Sequence, residues 1–245
     1  MKDFSIWLLF FLSTTVCAQN PDPDWILSKV DENITASNRI SKAEMVIHGR
    51  RGDRTVESIS WIRGTEMAFT EYLSPPRERG TKMLKLEDNL WTYFPRTDRT
   101  VLIAGHLLRQ SVMGSDLSYK DLMEDPKLQN FYQGEIVGED TLIDRPCWIL
   151  HLVAKKQEVS YHTRKIWVDQ ERFLTLKENR YAKSGRLIKT TEVKSIRKTD
   201  ERWVPEKIIF KDELKSGDGT EFNLLSIEFD ADIPDYIFSK ANLKK

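Results

Sequence analysis

The sequence is short of cysteine: its 245 residues contain two, Cys17 and Cys147. That excludes a disulfide framework and leaves stability to an apolar core. Net charge is absent as well, with 38 Lys+Arg against 38 Asp+Glu, so nothing electrostatic argues for nucleic acid or an anionic membrane as the main partner. No apolar run reaches the roughly 20 residues that a membrane-spanning helix needs. Histidine is scarce, at four residues, and there is no Cys-x-x-Cys, His-x-x-x-His or His-Glu-x-x-His spacing to suggest a metal site. Asp230-Ala231-Asp232 supplies two carboxylates without the remaining ligands of a calcium loop. Glycine-rich phosphate loops and a Gly-x-Ser-x-Gly nucleophile elbow are also missing. No metal, cofactor or catalytic residue is therefore expected.

What remains is an ordinary globular composition, 40% hydrophobic and 31% charged. The N-terminus reads as a secretion signal. Met1–Asn20 carries a lysine, an apolar run from Phe4 to Leu12, then Val16-Cys17-Ala18, a small-x-small site that places cleavage before Gln19. Export to the periplasm follows, with residues 19–245 as the mature domain. A competing reading makes Cys17 a lipidated cysteine, although Thr14-Thr15-Val16 matches lipoprotein processing poorly. With Cys17 removed, Cys147 is the one cysteine left, and its place at the head of an apolar run marks a small buried hydrophobe.

Past Pro21 and Pro23, Asp22 is placed to cap a helix whose Ile26, Leu27, Val30 and Ile34 share one face. Asn33-Ile34-Thr35 is a glycosylation sequon that falls inside this helix and reads as accidental. From Ser41 onward the apolar period is two: Met45/Ile47, Ile59/Trp61, Met67/Phe69, Trp91/Tyr93, Trp148/Leu150/Leu152, Ile166/Val168, Leu174/Leu176, Ile208/Phe210 and Leu225/Ile227/Phe229. Turn residues at Gly49–Asp53, Arg63-Gly64, Ser184-Gly185 and Ser216–Gly219 separate them, which gives about ten strands in one antiparallel meander and a single domain. Leu102–Lys127 interrupts the pattern. Within it Ser118 and Asp121 have capping-box spacing at the head of a short helix.

Two helical pieces are a small cover for so large a sheet, so the sheet either closes tightly or leaves a hollow beneath the helices. Trp61, Met67, Phe69, Trp91 and Tyr93 read as cavity walls, and Leu107, Leu108, Val112 and Met113 as the apolar underside of a movable lid. The competing reading is packed core. A cavity for one acyl chain of about fifteen methylenes recovers roughly 12 kcal/mol and needs no catalytic group.

Three blocks carry a resemblance: Pro75-Pro76-Arg77-Glu78-Arg79-Gly80-Thr81-Lys82-Met83-Leu84, then Asn89-Leu90-Trp91-Thr92-Tyr93-Phe94-Pro95, then Ser111-Val112-Met113-Gly114-Ser115-Asp116-Leu117-Ser118-Tyr119-Lys120-Asp121-Leu122. In this order and spacing they resemble the bacterial outer membrane lipoprotein-sorting, LolA-like family, and Ile233–Phe238 with Asn242-Leu243 match its usual ending. The resemblance implies an incomplete antiparallel β-barrel closed by a helical lid. It also implies a periplasmic carrier for lipid or lipoprotein acyl chains, with an envelope exporter or outer membrane acceptor as partner.

Two other readings compete. One is a lipid hydrolase using Ser111, Ser115 and His106; the other is a docking module for an envelope exporter with a filled interior. Export predicts a mature chain that starts at Gln19 when the protein is expressed with its own leader and analysed by intact mass. An unprocessed Met1, or a lipid-bearing Cys17, would reject that cleavage.

Overall fold

The computed structural model describes residues 21–34, 38–49, 52–157 and 159–245. The expected signal peptide (1–18), with Cys17 and the cleavage point before Gln19, lies outside the described residues.

Helix α1 (Pro23–Ile34) starts where the sequence places it. The Asp22 carboxylate accepts from the Asp24 amide at 3.1 Å, and Pro23 fills the first turn, where a missing N–H costs nothing. Ile26, Leu27 and Val30 are fully buried.

The rest is thirteen strands: β1 (Asn38–Ile47), β2 (Arg54–Arg63), β3 (Met67–Ser74), β4 (Lys82–Leu86), β5 (Asn89–Phe94), β6 (Arg99–Leu102), β7 (Tyr132–Leu142), β8 (Arg145–Ala154), β9 (Thr163–Asp169), β10 (Thr175–Tyr181), β11 (Leu187–Thr199), β12 (Arg202–Asp212) and β13 (Thr220–Phe229). The expectation of about ten is low because β4, β6, β7 and β11 do not alternate cleanly. β6 is four residues long, and β7 and β11 are broken by charged or Gly residues.

All strands form one antiparallel sheet in the order β6-β5-β4-β3-β2-β1-β13-β12-β11-β10-β9-β8-β7. β6 and β7 are its two ends, so the sheet is an open, incomplete barrel. The chain between them, residues 103–131, is the expected interruption. It leaves one end of the sheet, makes short 3-10 turns and helix α2 (Tyr119–Met123), and returns at the other end. This crossing segment is the lid.

Each face of the β1–β5 half is covered. On one face the lid buries Val112 and Tyr119 among Met45, Val56, Tyr72, Met83, Leu90 and Ile103. On the other, the C-terminal segment lays Ala231, Ile233, Phe238 and Leu243 against Phe69 and Leu84. Arg63 fastens this strap, donating to the Asp235 carboxylate at 2.7 Å and to the Ile233 carbonyl at 2.5 Å. Across the other half α1 packs Ile26, Leu27 and Val30 onto Leu150, Leu152, Ile166 and Val168.

Cys147 is buried and free, and burial pushes its thiol up to about 11, which keeps it protonated and inert. Truncating Leu27 to Ala beneath α1 should cost about 3 kcal/mol, the usual range for a fully buried leucine, read as a lower urea midpoint with an unchanged slope. A loss under about 1 kcal/mol would mean that α1 is not part of the cooperative core.

Candidate functional site

The hollow exists because the sheet floor beneath part of the lid is built from small side chains. In the β1–β4 register Ser41 faces Ser60, Ser60 faces Thr70, and Thr70 faces Met83. The adjacent row runs Arg39, Ile62, Ala68, Lys85. Ser60 and Thr70 satisfy each other at 2.9 Å, so they leave no orphan hydroxyl. Above this floor stand Leu122 and Pro126, and the space between is a cavity of about 400 Å³, within the range of small-molecule sites. It reaches the β2–β3 turn at Gly64 and Thr65 and extends inward to Phe222.

The roof over this cavity is held by buried charge. Arg164, Arg180 and Lys189 stand opposite one another in the β9–β10–β11 register. Three adjacent cations on a covered face need counter-ions, and the lid supplies two of them. Asp121 accepts from Lys189 Nζ at 2.5 Å and from Tyr161 Oη at 2.7 Å, with Arg180 Nη1 at 3.5 Å. Glu124 pairs with Arg164 at 2.8 Å. The sheet supplies the third, Glu178, which bridges Arg164 and Arg180 at 2.8 and 2.7 Å. Burial pushes the Asp121 carboxyl up, but Lys189 and the Ser118 hydrogen bonds outweigh it and bring it down to about 2. Burial raises Glu178 likewise, and Arg180 with Arg164 returns it to about 2.

The segment before α2 is stapled in the same manner. Asp116 accepts from Thr220 Oγ1 at 2.8 Å and from the Asp212 amide at 2.9 Å. Lys215 Nζ donates to Ser111 Oγ at 2.6 Å and to the Ser115 carbonyl at 2.7 Å. Arg54 pairs with Glu78 at 2.9 Å and donates to the Met113 carbonyl. Gly114 follows at φ +77°, where a Cβ would stand 3.2 Å from Arg54 Nη2. The blocks Pro75–Leu84 and Ser111–Leu122 therefore meet at Arg54.

The residues expected to bind ligand divide between the two faces. Leu107, Leu108, Val112 and Met113 do pack under the lid against the β1–β5 sheet. Trp61, Phe69, Trp91 and Tyr93 lie on the opposite face beneath the strap; Met67 packs there too while also reaching the cavity rim. The correction is one of face: both sides of β1–β5 are covered, so bulky apolar residues mark the strap side as strongly as the lid side. The cavity floor sits at the small, polar positions of the same strands, which alternation presents as solvent-facing. Ion pairs and hydrogen bonds from Asp121, Glu124 and Asp116 tie the lid to the sheet.

As for the hydrolase candidates, Ser111 Oγ accepts from Lys215, Ser115 Oγ closes onto Leu117, and His106 is exposed. Among the described residues no cluster of three or more His, Cys, Asp or Glu could hold a metal. Asp230, from the Asp-Ala-Asp pair, faces Arg202 at 3.1 Å.

A family model described as "Uncharacterized protein" matches residues 64–245. The solved structures that share this architecture include three close matches. A DUF1329 family protein from Desulfovibrio piger superposes with a TM-score of 0.81 at 23% identity, covering 91% of this chain and 100% of that one. A LolA superfamily protein from Nitrosomonas europaea gives 0.74 at 22% identity, covering 91% and 100%. A domain from Vibrio parahaemolyticus assigned to outer membrane lipoprotein sorting gives 0.75 at 19% identity, covering 89% and 98%. The chain belongs to the family of the model that matches residues 64–245, and its fold is LolA-like. No curated protein matches it in sequence. The LolA-like open sheet and its covering lid agree with the incomplete barrel that the family resemblance implies. No helix among the described residues is long and apolar enough to cross a membrane.

The electrostatics of this LolA-like lid give a pH dependence. Asp121 and Glu178 titrate below their ordinary 3.8 and 4.5. Their contribution is thus complete above about pH 5 and is lost as pH falls towards about 2. Asp121→Asn should cost about 3 kcal/mol at pH 7 by leaving Lys189 and Arg180 under-compensated. The gap from the parent protein should narrow below about pH 4 as Asp121 itself becomes protonated. A gap that stays constant down to about pH 2 would show that Asp121 is not ionised against Lys189 in the folded protein.

Proposed function

We propose that this protein is a periplasmic carrier that binds hydrophobic cargo, a lipid or the acyl chains of a lipoprotein, reversibly and without covalent chemistry. The observation that carries this reading is the 400 Å³ hollow between the floor of β1–β5 and the lid. At about 30 Å³ per small unit it accommodates about a dozen methylenes, one chain rather than a bundle. Burying them is worth roughly 10 kcal/mol gross, part of which offsets the lost freedom of the chain and of the bound molecule.

The roof stays fixed while cargo enters. Breaking Asp121–Lys189, Glu124–Arg164 and Asp116–Thr220 together would uncover buried charge, which is costly. Cargo therefore threads from the end of the hollow at the β2–β3 turn, lined by Gly64 and Thr65, and leaves by the same route. An envelope exporter or an outer membrane acceptor would meet the protein at that end. The unfilled interior favours the carrier over a docking module with a packed core.

The hollow is the thing to test. Ala68→Phe places a ring on the floor between Ile62 and Lys85 and should weaken binding of a fluorescent fatty-acid probe by at least about tenfold, a change of about 1.4 kcal/mol, without lowering the melting temperature by more than a few degrees. Parent protein that ignores such probes, and whose organic extract contains no lipid, would overturn the carrier reading.

A further inference from the structure

The hollow has two ends, and one side chain closes the inner one. The floor begins at the β2–β3 turn with the row Arg39, Ile62, Ala68 and Lys85 and continues one step inward with Ser41, Ser60, Thr70 and Met83. Alternate residues of a strand share a face, so Ala43 and Met45 carry the same face of β1 farther in. Met45 is paired with Val56 of β2 on one side and with Phe222 of β13 on the other. Of these four deeper residues Phe222 alone lines the cavity. Met45 stands six residues along β1 from Arg39, a span of about 20 Å at about 3.3 Å per residue. Phe222 therefore lies at the end opposite Gly64 and Thr65.

We propose that Phe222 is the stop that sets the length of the bound chain. The cargo presents a single alkyl chain that enters tail first at Gly64 and Thr65 and ends against the Phe222 ring, with about a dozen carbons inside. This assignment deepens the carrier reading and rests on it.

Three observations support it. First, the space beyond the ring is filled: Met45 and Val56 are buried with Tyr72, Val112 and Tyr119, where the lid meets the sheet. Second, Phe222 itself is only half-buried, because part of its surface faces the hollow. Third, the ring is held in place. Phe210 meets it edge to face, with centroids 6.3 Å apart and planes at 81°, a favoured geometry for an aromatic pair, and Ile208 of β12 is its cross-strand partner. A wall of ring carbons suits a terminal methyl and offers nothing to a polar head, which stays at the turn end.

The test is displacement of a fluorescent fatty-acid probe from the purified protein by saturated fatty acids from octanoate to octadecanoate. Affinity should rise about fourfold per methylene and level off at about twelve carbons. Phe222→Leu should move that break to chains about one or two carbons longer, and Phe222→Ala to chains about three carbons longer, the room that the ring gives up. Phe222→Trp should move it to shorter chains. Should Phe222→Ala fail to fold, the Leu and Trp variants still shift the break in opposite directions. Phe69→Leu, a buried change on the strap side of the same sheet, should leave the break where it is.

A break that stays put in folded Leu and Trp variants overturns the stop and leaves the carrier reading standing. So does affinity that climbs without a break to octadecanoate in the parent protein, or a break that Phe69→Leu moves as far as Phe222→Leu does. Failure of every chain to displace the probe, with no binding of the probe itself, overturns both readings.

Discussion

The structure depends on the need to neutralise a row of cations that the sheet presents to its own interior. Arg164, Arg180 and Lys189 face one another on three neighbouring strands, and Glu178 alone cannot balance them. Asp121 of α2, a helix of five residues too short to be stable by itself, and Glu124 just past its end complete the set. The helix holds its shape through the Ser118–Asp121 capping box and its position through the same aspartate's bonds to Lys189 and Tyr161. One carboxylate therefore sets both the start of the helix and its place over the sheet.

That anchoring determines where empty space is tolerated. A covered sheet face normally fills with interdigitating side chains, and between Val112, Tyr119 and the strands beneath them it does. Farther along the same strands the floor drops to Ser41, Ser60, Ala68 and Thr70, and the roof cannot sink to meet them because ion pairs on the far side support it. The strap on the other face has the complementary task. It buries Trp61, Phe69, Trp91 and Tyr93, which would otherwise form a large exposed apolar patch.

Local features were the legible part of the sequence. Asp22 before Pro23, the loss of period at Leu102–Lys127 and the Ser118–Asp121 spacing each locate an element because the physics involved spans only a few residues. What could not be read was pairing at long range. Nothing near Asp121 announces Lys189, 68 positions away, and nothing in Arg54 announces the Met113 carbonyl. The expected wall residues lie beneath the strap and not under the lid, which the sequence does not reveal because alternation creates two sides without labelling them and a C-terminal segment of 3-10 turns gives no periodic sign that it will cover one of them. The floor was missed for a related reason: small polar residues on alternate positions read as wetted surface unless the lid is known to lie over them.

The order of strands has a kinetic side. Eleven of the twelve pairings join strands consecutive in the chain, and the exception is β1 with β13. Each half of the sheet is thus a series of hairpins that can form quickly from nearby residues, while the seam between halves requires the first strand to find the last. Closing so long a loop slows the search far more than it weakens the product, since the entropic cost rises only with the logarithm of loop length. Assembly of this protein should accordingly wait on its final strand, with both meanders formed before the molecule has a shared interior.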